Sequence, residues 1–232
     1  MIFGGLQKSS LIDYPGKISC VLFTTGCNFS CPYCHNPQLA RGCMDDSTAF
    51  DEQIAYDFLE KRKGLLEGVV ISGGEPTLQD DLSAVCEKIK QMGYPVNLDT
   101  NGSRPQVLRH LLDNDLVDYI AMDIKTDPSS YTPLIQKNFN PSALLESIHL
   151  VMAATVEYEF KTTCIKPLVD ATVIENISRL INGAPLYALQ QCQPADVLSP
   201  EFFQQNDRCY SEHELMSLQS IAQPWVGECR VR

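Results

Sequence analysis

Short apolar runs alternate with amphipathic ones along this chain, and that alternation limits its fold more than any other feature. Residues 18–24 are rich in β-branched and apolar side chains, as a buried strand requires. Residues 51–62 then follow helical spacing, with Ile54, Phe58 and Leu59 on one face. The pattern repeats. Strands are predicted at 69–72, 96–99, 119–123, 158–163 and 186–189. Helices are predicted at 82–92, 104–112, 142–152, 171–181 and 212–223, with a terminal strand over 225–231. Strand–helix units in this order build a parallel sheet with its helices outside. There are too few of them to close an eight-fold barrel. The expected fold is therefore α/β, a partial (βα)6 TIM-like barrel, and residues 1–232 are expected to form a single domain.

Sites in such folds gather at the C-terminal ends of the strands, and the unusual residues of this chain fall there. A cysteine cluster follows the first predicted strand and Gly73-Gly74-Glu75-Pro76 the second. Asp99-Thr100-Asn101-Gly102 closes the third, Asp123-Ile124-Lys125 the fourth, Lys161-Thr162-Thr163 the fifth and Gln190-Gln191 the sixth. One shared site is implied. With 18 Lys and Arg against 29 Asp and Glu, the formal net charge is -11. That argues against a nucleic-acid binder, which needs clustered cations for phosphate contacts.

The segment from Gly26 reads G-C-N-F-S-C-P-Y-C-H-N-P and places Cys27, Cys31 and Cys34 in a C-x3-C-x2-C spacing. Thiolates in short loops hold iron–sulfur clusters. Three of them leave one iron of a 4Fe–4S cluster open for a ligand. A tetrahedral zinc site of a binding or scaffold module is the alternative, with His35 as fourth ligand. The start of the chain has neither a basic n-region nor an apolar h-region, and no run is long enough to span a bilayer. The ten cysteines are thus expected to be cytoplasmic thiols or metal ligands. Cys20, Cys86 and Cys164 sit inside strand or helix patterns and read as small buried hydrophobes. Cys192, Cys209 and Cys229 lack a C-x2-C pair, and between Cys34 and Val69 only Cys43 occurs, so no ferredoxin-like insert is present.

The cysteine loop, with the aromatic Tyr33 before its last cysteine, resembles the signature loop of the radical S-adenosylmethionine superfamily. Cys34-His35-Asn36 is similar to the segment that follows this loop in enzymes that activate glycyl-radical proteins. So are Asp13-Tyr14-Pro15-Gly16-Lys17 and Thr25-Gly26-Cys27. Within that group the chain most resembles the activating protein of anaerobic ribonucleoside-triphosphate reductase. It departs from the pattern where a Phe is expected near Gln190-Gln191-Cys192.

The resemblance implies that Gly73, Gly74, Glu75 and Pro76 hold the methionyl amine of S-adenosylmethionine and that Tyr33 packs near its adenine. Asp123, Lys125 and Lys161 would complete the cofactor site, and Asp99, Thr100 and Asp123 would hold a monovalent cation. On residue type alone, Asp99 as a helix cap and Asp123–Lys125 as a surface ion pair stay open. The implied activity is reductive cleavage of S-adenosylmethionine to a 5′-deoxyadenosyl radical, fed by a flavodoxin or ferredoxin. The radical then removes a hydrogen atom from a glycine of a partner enzyme. A formate-lyase-like partner and a small-molecule substrate are the alternatives.

Overall fold

A computed structural model of the chain describes residues 1–42, 49–131, 135–136, 139–204 and 207–232. Cys43 lies outside them. In chain order the elements are β1 (Ile2–Ser10), β2 (Ser19–Thr24), α1 (Pro37–Ala40), β3 (Phe50–Asp51), α2 (Glu52–Lys61) and β4 (Gly68–Gly73). They continue with α3 (Leu82–Gln91), β5 (Val96–Thr100), α4 (Pro105–Asp113), β6 (Tyr119–Asp123), α5 (Pro141–Ala153) and β7 (Glu157–Cys164). The chain ends with α6 (Ala171–Leu180), β8 (Leu186–Gln191), α7 (Glu212–Ala222) and β9 (Glu228–Val231).

All strands form one sheet in the order β3-β1-β2-β4-β5-β6-β7-β8-β9. From β2 to β9 every neighbouring pair runs parallel. The two ends of the sheet do not pair, so it is a TIM-like partial barrel, as the alternation predicts. The six predicted inner strands correspond to β2 and β4–β8.

Helix ends carry the expected chemistry. The Asp51 carboxylate caps α2 by accepting from the Ile54 N–H at 3.1 Å, and Asp170 does the same for α6 through Val173 N–H at 2.8 Å. Ser211 and Glu214 form a reciprocal capping box on α7. One expectation is corrected on α2. Its buried stripe runs through Ala55 and Leu59, and Ile54 points outward with 55% of its surface exposed. The i, i+4 pair Ala55–Leu59 faces the sheet, and that rotation turns residue 54 away.

Alternation along the strands splits the interior in two. Val69 and Ile71 of β4 face the helix layer, within the main core. Val70 faces the other way, into a smaller cluster with Tyr14, Val21, Tyr119 and Ala121 that fills the floor of the barrel. The same face, followed toward the strand C-termini, carries Ser72, Asp99, Asp123 and Lys161. The barrel thus passes from apolar at its floor to charged at its mouth.

β1 is absent from the sequence expectation. It pairs antiparallel with β2 through two register shifts, between Phe3 and Gly5 and between Gln7 and Ser10. A strand near the sheet edge, with polar residues and interrupted pairing, shows no clean two-residue period.

Candidate active site

Three loops meet at the mouth of the barrel, and backbone contacts hold them together. The cysteine loop leaves β2 through Gly26, whose φ of +82° is the left-handed value that favours glycine. Its N–H donates to the Leu39 carbonyl at 2.7 Å, and Cys27 N–H donates to Ala40 at 3.1 Å. The turn after β4 then docks on this loop: Gly74 N–H donates to the Thr24 carbonyl at 2.9 Å and Glu75 N–H to the Gly26 carbonyl at 2.8 Å. A Cβ on Gly73 would lie 2.4 Å from Thr24 O, and one on Gly74 would lie 2.0 Å from Gly26 O. The two glycines therefore serve a close approach of one backbone to another.

Glu75 joins the third loop to the other two. It is 1% exposed. Its carboxylate accepts from Thr77 N–H at 3.1 Å, Thr100 hydroxyl at 2.7 Å and Asn101 N–H at 2.7 Å. Burial raises its pKa, and the hydrogen bonds partly offset this. A solvated Glu75 in an ordinary turn is thereby excluded. Asn101 returns to the cysteine loop, donating to Asn28 Oδ1 at 2.9 Å and to Cys27 Sγ at 3.9 Å.

These loops surround a cavity of about 190 Å³. Cys27, Cys31 and Cys34 all line it. Burial pushes the Cys27 thiol up to about 11 and that of Cys31 up to about 12, while the nearby Lys125 ammonium works in the opposite direction. Among the described residues, no three His, Cys, Asp or Glu side chains are gathered to hold a single metal ion, and His35 is exposed.

Tyr33, Gly73, Gly74, Glu75, Asp123 and Lys125 line the same cavity. The Tyr33 phenol is buried there beside the Cys31 thiol. Pro76 instead starts a buried turn behind it. Lys125 Nζ lies 3.2 Å from Asp123 Oδ1, each side chain mostly buried, so this pair belongs to the barrel mouth and not to the open surface. Burial opposes the Lys125 charge, but Asp123 and Cys31 outweigh it and hold the ammonium protonated.

Lys161 faces an adjoining cavity of about 270 Å³ with Gln190 and Gln191. Its Nζ lies 3.1 Å from Asp99 Oδ1, and Asp99 also accepts from the Ser72 hydroxyl at 2.9 Å. Asp99 caps no helix, since Arg104 occupies the N-cap of α4. Each carboxylate expected to hold a monovalent cation thus already faces a lysine. Ser72, Asn101 and Thr163 also line the first cavity; the last two lie in strand-end segments singled out from the sequence, and Ser72 was missed. Strand parity with Val70 was the signal that marks Ser72.

The Radical SAM superfamily model matches residues 21–179. A Methanocaldococcus jannaschii protein that carries the name glycyl-radical enzyme activating enzyme is 34% identical over 236 residues, covering 100% of this chain and 95% of its own. The pyruvate formate-lyase-activating enzyme of Listeria monocytogenes is 34% identical over 148 residues, 59% of this chain and 58% of its own. A 7-carboxy-7-deazaguanine synthase of Methanospirillum hungatei is 35% identical over 105 residues, 45% of this chain and 42% of its own. Among solved structures, Streptococcus suis SuiB bound to its precursor peptide SuiA superposes with a TM-score of 0.70 at 12% identity. The match covers 91% of this chain, which spans about half of SuiB, 48%. The family match extends from β2 through α6, across every loop that builds the cavity, and the chain belongs to the radical S-adenosylmethionine superfamily.

Proposed function

We propose that this enzyme activates a glycyl-radical partner, with anaerobic ribonucleoside-triphosphate reductase the best candidate. The observation that carries the reading is the single cavity shared by Cys27, Cys31, Cys34 and the Gly73–Glu75 turn. In this reading the three thiolates hold three irons of a 4Fe–4S cluster and leave the fourth for S-adenosylmethionine. Together the two groups supply hydrogen-atom abstraction, driven by an electron from a flavodoxin or ferredoxin.

The chain's own residues bind and orient. Glu75 is committed to Thr77, Thr100 and Asn101, so the Gly73–Glu75 turn would hold the methionyl amine through its backbone and not through this carboxylate. Lys125 attracts the cofactor carboxylate as a point charge. Asp123 keeps that ammonium in place and would accept from a ribose hydroxyl. Tyr33 offers a buried aromatic face to the adenine. Lys161 fixes Asp99 behind the site. A monovalent cation enters only as the alternative to Lys161 at Asp99. The protein thus contributes binding, orientation and exclusion of water, and the bound groups the chemistry.

Likeness to the M. jannaschii protein over its whole length supports the activase class. The formate-lyase-activating relative keeps another glycyl-radical partner open. Likeness to a 7-carboxy-7-deazaguanine synthase over less than half the chain supports a second reading, a small-molecule substrate. The test is anaerobic reconstitution with iron and sulfide, reduction, and assay of 5′-deoxyadenosine with and without the purified reductase. The activase reading expects an organic radical signal on the reductase whose splitting collapses when its glycines are deuterated. Substrate-dependent turnover without any protein partner refutes it in favour of the second reading. Bound zinc and no retained iron refute both.

A further inference from the structure

Cys192, Cys209 and Cys229 do not converge on a second metal site. Cys229 lies on β9 opposite Tyr187 and has Cys164 as its neighbour. Cys192 and Cys209 are brought together elsewhere, at the end of β8. Cys164 of β7 pairs with Gln191, and the next residue, Ile165, bridges to Cys209 from the opposite chain direction. Gln191 Nε2 donates to the Tyr210 carbonyl at 3.1 Å, and Lys166 N–H donates to Arg208 O at 2.9 Å. The stretches through residues 191–192 and 208–210 thus lie side by side, which brings the two thiols near enough to interact electrostatically. Cys192 is 2% exposed, and Cys209 is partly open to solvent.

Between these two cysteines the chain leaves the barrel and returns. On the way it lies on the cysteine loop of the active site: Leu198 N–H donates to the Cys34 carbonyl at 3.0 Å, and Ser199 N–H to Pro32 O at 3.0 Å. Arg41, beyond that loop, donates from Nη2 to the Leu198 carbonyl at 3.0 Å. Both ends of the covering segment therefore meet at Cys192 and Cys209, and its middle rests on Cys34.

We propose that Cys192 and Cys209 are a reversible disulfide pair whose oxidation fastens the segment around Leu198 over the cysteine loop. The oxidant is a low-molecular-weight disulfide. Cys209, the more accessible of the two, loses its proton and attacks one sulfur of this oxidant, forming a mixed disulfide and releasing one thiolate. Cys192, deprotonated on the way, attacks the Cys209 sulfur, closes the protein disulfide and releases the second thiolate. The protein loses two electrons and two protons, and the small disulfide becomes two thiols. A dithiol reverses both steps. Cys192 is buried and Cys209 partly open, which assigns first attack to Cys209. Loop closure between these residues narrows the freedom of everything between them.

The disulfide does not depend on the proposed function, and only its effect on the cysteine loop involves the active site. The test uses the full chain, reconstituted and kept without oxygen, exposed to oxidised glutathione, alkylated and mapped by mass spectrometry. One cross-link, Cys192 to Cys209, is expected, lost again in dithiothreitol, with iron content unchanged. Cys192→Ser should trap glutathione on Cys209, and Cys209→Ser should remain unmodified at both positions while cleaving S-adenosylmethionine as the parent does. Alkylation of both thiols in the parent, or a Cys209 cross-link to Cys43, Cys164 or Cys229, overturns the pairing. Amide exchange at Leu198 and Ser199 should slow at least tenfold on oxidation, and unchanged exchange in the cross-linked protein overturns the fastening.

Discussion

Replacing Gly74 by alanine tests the claim that this glycine serves backbone packing. The added methyl would sit 2.0 Å from Gly26 O and 2.7 Å from Gly26 C, and neither atom belongs to a flexible side chain. The turn must move off the cysteine loop, weakening the 2.8 Å bond from Glu75 N–H to Gly26 O. Overpacking costs roughly 1–3 kcal/mol and a lost hydrogen bond roughly 0.5–1.5, so Gly74→Ala should destabilise by about 1.5–4.5 kcal/mol. Gly93→Ala is the control. Its φ of +91° makes a side chain unfavourable, but nothing lies within 4 Å of the new Cβ, so it should cost about 1 kcal/mol. Denaturant midpoints of the two anaerobic apo-proteins, followed by iron content after reconstitution, measure both effects. Gly74→Ala should be the less stable and hold less than half the iron of the control. Equal stability and equal iron for the two variants would refute the packing argument.

Alanine at any one of Cys27, Cys31 or Cys34 should remove bound iron and the brown absorbance of the reconstituted protein; a normally loaded Cys27→Ala variant sinks the ligand assignment. Lys161→Met leaves the mostly buried Asp99 without its 3.1 Å ion partner, at a cost of about 3 kcal/mol, the low end for a broken buried pair. Recovery of its thermal midpoint by potassium chloride but not by tetramethylammonium chloride would assign a monovalent cation to Asp99. The same midpoint in both salts would leave the lysine as the sole counter-charge. Glu214 is held down from 4.5 to about 2, first by Lys166 and then by Ser211. A depressed carboxylate contributes stability above its unfolded value and loses it as pH falls toward the folded one. The parent should therefore shed stability between about pH 4.5 and 2 that Glu214→Gln never had, and parallel midpoint-against-pH curves would contradict this.

Much of the barrel was legible because each buried strand is a short apolar run and each helix has a stripe of its own period. The cysteine loop and Gly73–Pro76 were legible by spacing. β1 was not, since its pairing is irregular and its residues mixed. Ser72 was missed for another reason. A serine carries no signal until the fold puts it beside Asp99. The glycines were singled out for approach to a ligand, whereas the atoms that forbid a Cβ belong to Thr24 and Gly26. Only the fold brings those segments together.

The Glu75 carboxylate, shared among Thr77, Thr100 and Asn101, has a thermodynamic corollary. Through it and the Glu75 N–H to Gly26 bond, the wall that would receive a ligand and the wall that would hold metal are parts of one plate. Linkage between two occupants of such a plate is reciprocal: any factor by which one tightens the other is returned in full. A ligand seated on the Gly73–Glu75 turn should therefore tighten the equilibrium binding of iron, measured by competition with a chelator, by the same factor that iron improves that ligand's affinity.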